Sequence, residues 1–222
     1  MRRLARRQVV AAPQLLLALL FTQYRQFFIG LAVGTALSMY LWAIDSPPEW
    51  IERKRRGRDG ERSTERELAP LERRGWTVGH DLPARFGNYD HLIVGPSGAY
   101  LLETKRFTGE AVLDEGVLSL RRGTDARDTW RMDEGLAGRL RGSARDARRL
   151  LGAANINWVA PVVVLWCEFP AQVAEHGGVT YVHGTRLAAW LEAQPETVSA
   201  QSVENARSCL RRLEADALRD AA

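Results

Sequence analysis

The chain has 222 residues, of which 45% are apolar, 26% charged and 8% aromatic. That balance excludes a disordered tail, a collagen-like repeat and a polytopic membrane protein. The net charge of +4 invites a nucleic-acid reading, but residues 1–56 hold nine Lys/Arg against three Asp/Glu, and residues 57–222 are left with −2. The basic excess therefore belongs to the N-terminal segment, and a nucleic-acid site farther on needs a local patch rather than bulk charge. Cys167 in an apolar run and Cys209 in a helical pattern read as two separately buried thiols, not as a disulfide framework or a zinc site.

Two uncharged stretches, 8–24 and 26–44, are separated by Arg25. The second is 19 residues long, about 28 Å as a helix, with Phe27, Phe28, Tyr40 and Trp42 near its ends. It is expected to be a transmembrane helix. A cleaved signal peptide is the alternative, because Arg2, Arg3, Arg6 and Arg7 precede a Leu-rich run, but a second apolar run follows directly. Five basic residues within 53–58 stand where anionic head groups would attract them, and they favour a cytoplasmic domain after the span. The arginines before the span argue the other way unless the first run also crosses.

The rest reads in order as a helix over 57–74, strands over 76–82, 89–94 and 99–105, and a strand pair over 111–113 and 117–120 turning at Asp114-Glu115-Gly116. Gly95-Pro96-Ser97-Gly98 supplies hairpin-turn chemistry between the second and third strands. An Arg-rich helix over 135–151, an apolar central strand over 159–166, a strand over 179–182 and helices near 185–193 and 202–218 complete the chain. This order describes an α/β sandwich around a mixed sheet.

Asp90 opens the second strand, and Glu103 and Lys105 close the third. Side chains alternate in a strand, so Glu103 and Lys105 share a face with Thr104 opposite. The hairpin brings Asp90 beside them. Two carboxylates and an ammonium at the end of apolar strands are poorly explained as solvated surface charge. A structural ion pair of Lys105 with either acid is the competing explanation. Only Lys54 and Lys105 among 31 basic residues are Lys, which points to a need for a compact charge at 105 that Arg does not meet. Paired carboxylates also hold hard divalent cations.

The series Gly87-Asn88-Tyr89-Asp90-His91, Gly95-Pro96-Ser97-Gly98, Leu102-Glu103-Thr104-Lys105 and Gly109 resembles the core of the NERD, or nuclease-related, domain, itself similar to the PD-(D/E)xK nucleases. Gly57-Arg58-Asp59-Gly60-Glu61 resembles the family's opening G-x-x-G-E. The resemblance implies a restriction-endonuclease-like α/β/α core and hydrolysis of nucleic-acid phosphodiesters with Mg2+ or Mn2+. It further implies Asp90 and Glu103 as metal ligands, Glu61 as a further ligand or the holder of a cation-bound water, and Lys105 as the group that orients the attacking water. His91 faces the other side of its strand and reads as a packed histidine. The arginines at 139, 141, 145, 148 and 149 fit a phosphate-facing surface and a solvated face equally.

The expected organisation is a basic and apolar segment 1–25, a transmembrane helix 26–44, a juxtamembrane linker 45–56, a nuclease domain 57–194 and a C-terminal helix 195–222. The expected protein is a membrane-anchored nuclease at the cell membrane with its domain in the cytoplasm and DNA preferred over RNA as partner. A tethered module that binds nucleic acid or protein without cutting is the alternative. A third reading is a scaffold that pairs through Val203, Leu210, Leu213 and Leu218.

Overall fold

The computed structural model describes residues 24–45, 49–85, 87–114, 117–121, 129–131 and 135–220. The chain divides into two units, Met1–Arg53 and Lys54–Ala222. In the first, helix α1 (Arg25–Asp45) covers the stretch expected to span a membrane. Every side chain from 24 to 42 is exposed, Trp42 at 72%. The expected helix is therefore present, but among the described residues no helix is long and apolar enough to cross a membrane. Its first turn carries Arg25 and Gln26, and Gly30, Gly34, Thr35 and Ser38 interrupt its apolar residues. The arginine cluster at 2–7 and the first apolar run up to residue 23 lie outside the described residues.

Helix α2 (Glu49–Arg73) begins ahead of the expected start at Gly57, so residues 49–56, read as linker, are helical. No Gly or Pro occurs between Glu49 and Gly57 to stop it, and a long helix absorbs the cost of Gly57 and Gly60, about 1 kcal/mol each. Strands β1 (Thr77–Pro83), β2 (Asn88–Gly95) and β3 (Gly98–Asp114) follow. Then come β4 (Val117–Arg121), β5 (Thr129–Arg131), helix α3 (Leu136–Leu151) and β6 (Ala160–Glu168). Strands β7 (Val173–His176) and β8 (Val179–His183) and helices α4 (Leu187–Glu192) and α5 (Ala200–Asp220) complete the unit. The strands at β5 and β7 were not expected, being too short and polar to show a period. The turn at residues 115–116 lies outside the described residues.

The sheet is mixed, as expected. Its order is β1-β2-β3-β6-β8-β7, with β4 on β3 and β5 on β4. Strand β3 pairs antiparallel to β2 and parallel to β6, and β6 runs parallel to β8. Alternation divides the apolar residues between two cores. Leu92, Val94, Leu101, Val163 and Leu165 face one side, where Leu140 and Ala147 of α3 and Val203, Ala206 and Leu210 of α5 cover them. Ile93, Leu102, Val162 and Val164 face the other, under Leu68 and Leu71 of α2 and Leu187 and Leu191 of α4. Val203 and Leu210 are thus core, and α5 belongs to the domain rather than standing apart as a pairing surface. Cys209 is buried as expected, whereas Cys167 is only half-buried; burial still pushes its thiol up to about 11.

Candidate active site

The hairpin turn fixes the register of β2 on β3, from Gly95 opposite Gly98 down to His91 opposite Leu102. One step further brings Asp90 level with Glu103. There the backbone ladder ends and a side chain takes over: the Thr104 N–H donates to Asp90 Oδ2 at 2.8 Å. Asp90 is thereby held against the same stretch of β3 that carries Glu103 and Lys105. On its other edge β3 is pinned by β6, with Glu103 opposite Val163 and Lys105 opposite Leu165. The Lys105 ammonium donates to Glu103 Oε1 at 2.5 Å, and both side chains are about one-third exposed, at 32% and 28%.

Burial, then the neighbouring Glu103 charge, raise the Asp90 carboxyl from its ordinary value to about 6, with the Thr104 N–H and Lys105 acting against them. A buried carboxylate whose ionisation a neighbouring carboxylate hinders marks a place that favours added positive charge. Each commits one oxygen to these hydrogen bonds, Asp90 Oδ2 and Glu103 Oε1.

Glu61 acts on Asp90 from a separate element. It belongs to α2, which packs on the opposite face of the sheet, and it is the weakest of the influences on Asp90. Among the described residues no three His, Cys, Asp or Glu side chains are grouped to hold a metal ion. Asp90, Glu103 and Lys105 converge, and the Glu61 charge reaches Asp90.

The face under α2 carries a network that the sequence reading missed. Thr104 Oγ1 and Thr64 Oγ1 lie 3.0 Å apart, Trp166 Nε1 donates to Thr64 Oγ1 at 2.8 Å, and Thr64 Oγ1 reaches Gly60 O at 3.2 Å. Gly60 permits this approach, because a Cβ there would meet Thr104 Cγ2 at 3.1 Å and Arg106 Cβ at 3.2 Å. The signal available in the sequence was the Thr between Glu103 and Lys105, which must face inward if its neighbours face outward. His91 is a packed histidine as expected, 1% exposed, with Nδ1 2.8 Å from His80 Nδ1. Burial, then His80, lowers it to about 3.

A helix, three antiparallel strands, a second helix and a parallel strand, with an acid–acid–lysine cluster at the end of the β2–β3 hairpin, define a nuclease-like α/β/α domain. The family model of the NERD, or nuclease-related, domain matches residues 56–166, half of the chain, and the chain belongs to that family. Among curated proteins and among solved structures no match to the chain is found.

The divalent cation that this family resemblance implies fits the residues present. Mg2+ is commonly held by one or two carboxylates, with waters and substrate phosphate filling the remaining positions. Asp90 and Glu103 supply that number of carboxylates.

Proposed function

We propose that the domain is a metal-dependent nuclease that hydrolyses phosphodiester bonds in nucleic acid, with DNA as the preferred substrate. The observation that carries this reading is the convergence of Asp90, Glu103 and Lys105 where the β2–β3 ladder ends. Asp90 and Glu103 would hold Mg2+ or Mn2+, which when bound supplies Lewis-acid neutralisation of phosphate charge. Lys105, a compact ammonium at the same edge, would orient the attacking water and stabilise charge developing on the phosphate. Thr104, through its N–H, keeps Asp90 in place. Glu61, whose charge reaches Asp90, would act as a further ligand or hold a cation-bound water.

The exposed apolar side chains of α1 support anchoring of the protein to a membrane through its N-terminal segment. The basic residues within 53–58 support a cytoplasmic side for the domain. Reporter fusions at residue 60 test this: a fluorescent-protein fusion should be bright and alkaline phosphatase silent, and the reverse overturns it.

The activity is tested with the full chain in detergent on plasmid, linear and single-stranded DNA and on RNA, with Mg2+, Mn2+ or EDTA. Cleavage should require the cation and disappear in Glu103→Gln. The close Lys105–Glu103 pair and the absence of a third grouped ligand among the described residues favour a second reading, a binding module without cleavage. That reading gains if wild type and Glu103→Gln bind the same nucleic acid and neither cuts it.

A further inference from the structure

Helix α3 carries arginines for which the carboxylate site has no use. Arg149 is paired with Asp146 at 2.6 Å on the solvent side. Arg141, Arg145 and Arg148, spaced to share one stripe of the helix, instead line a hollow of about 160 Å³ against the start of β6. Its far wall is Trp158 and Pro161, and Gly178 of the β7–β8 turn closes one side. Among the described residues, no acidic side chain lines it. Arg141 is fixed by donating to the Gly177 carbonyl, and Arg145 Nε donates to the Arg141 carbonyl at 3.3 Å.

Trp158 is the unusual member. It is 67% exposed, in a domain whose Trp76 is almost fully buried, and it borders three adjoining hollows at this end of the sheet. A large aromatic left in water beside fixed cations offers a flat face for stacking and charges for phosphate. In a duplex the base faces are already stacked on one another, so only an unpaired base can use such a ring. The hollow also lies on the sheet face of the proposed site. Pro161 is opposite Leu101, two positions from Val163, the partner of Glu103, or roughly 7 Å along the strand.

We infer that the hollow between α3 and Trp158 is a binding site for single-stranded nucleic acid, in which Trp158 stacks on a base and Arg145 and Arg148 hold the flanking phosphates. This names the substrate form for the nuclease reading and rests on that reading only for the link between binding and cleavage.

The test is fluorescence anisotropy of a labelled oligothymidylate and of its duplex with oligoadenylate, using the full chain in detergent with EDTA so that nothing is cut. The single strand should bind more tightly than the duplex. Trp158→Ala should weaken it on the order of tenfold while Trp158→Phe retains most of the affinity. Arg145→Ala with Arg148→Ala should weaken binding and flatten its salt dependence. Unchanged thermal midpoints would verify that these exposed replacements leave the fold intact. Wild-type affinity in Trp158→Ala, equal affinity for duplex, or equally effective competition by polyglutamate would each overturn the site. Because no cation is present, a failure of cleavage in the activity assay leaves this outcome readable by itself.

Discussion

The two faces of β3 beyond Leu102 are both polar, and they differ in how their polar groups are satisfied. Under α2, Thr104, Thr64 and Trp166 close a network in which hydroxyls and an indole N–H partner one another away from water. On the other face Glu103 and Lys105 are one-third exposed, and Asp90 is left with a raised proton affinity. The comparison gives a criterion: a buried polar cluster whose hydrogen bonds close on themselves is architecture, and one that leaves carboxylate oxygens and charge uncompensated is prepared for a ligand.

The largest effect should come from breaking the open face. Glu103→Gln, Asp90→Asn and Lys105→Ala should each lower cleavage by roughly 10²–10³-fold or more with the domain still folded by circular dichroism. Lys105→Arg should not restore activity, because a planar guanidinium places its charge differently from an ammonium. A Glu103→Gln enzyme that cuts at the wild-type rate would show that the open face is not the reacting one.

Breaking the closed face should do the opposite. Thr104→Val keeps the N–H that Asp90 accepts from but removes a hydroxyl partner of Thr64, and should cost about 1–3 kcal/mol of stability. Gly60→Ala should cost a similar amount, on the order of 1–3 kcal/mol, by forcing α2 away from Thr104 and Arg106. Both should retain activity below their unfolding temperatures, and thermal melts with parallel cleavage assays at low temperature would separate the two effects.

A smaller effect tests the comparison from the thermodynamic side. Asp90 has its folded-state carboxyl raised to about 6, so its stabilising contribution is full near pH 4 and lost as the pH rises through 6 in cation-free protein. Asp90→Asn should therefore raise the melting temperature at pH 7 by several °C, about 1–3 kcal/mol, while abolishing cleavage. An unchanged or lower melting temperature would mean that the carboxylate is not held under electrostatic load.

A test of opposite sign concerns His91, the next residue, on the other face. Its folded value is lowered to about 3. The stability it contributes is complete above about 6.5 and is lost as the pH falls toward 3, the opposite sign to Asp90. Replacing it by Phe should flatten the acid limb of a stability–pH curve, and an unaltered limb would place the acid sensitivity elsewhere.

Much of this was legible in the sequence because the governing signals are local. Period-two alternation and the Gly-Pro-Ser-Gly turn locate β2 and β3, and from them the faces of Asp90, Glu103 and Lys105 follow. The approach of Glu61 is not legible in the sequence, because a motif fixes the order of residues along the chain and not the face on which a helix docks. Gly60 against Thr104 sets that face, and the contact joins residues far apart in sequence. Residues 49–56 were read as linker from their charge, although charged residues without Gly or Pro continue a helix readily. Trp158 escaped notice because exposure, and not identity, makes it unusual.

Strand β3 keeps step with β6 from Tyr100 to Arg106 and then slips, taking four residues to reach Glu110 where β6 takes two to reach Glu168. Gly109, at φ +119°, lies within the slip, and from Glu110 onward the strand is paired with β4. The irregularity begins after Arg106, one residue beyond Lys105, and so it works as an expansion joint. A length change or substitution in the arm from Glu110 to Arg121 is taken up at the slack between Arg106 and Glu110, and the Glu103–Lys105 segment keeps its alignment. A hairpin of different length grafted there should therefore leave the Glu103–Lys105 segment in place.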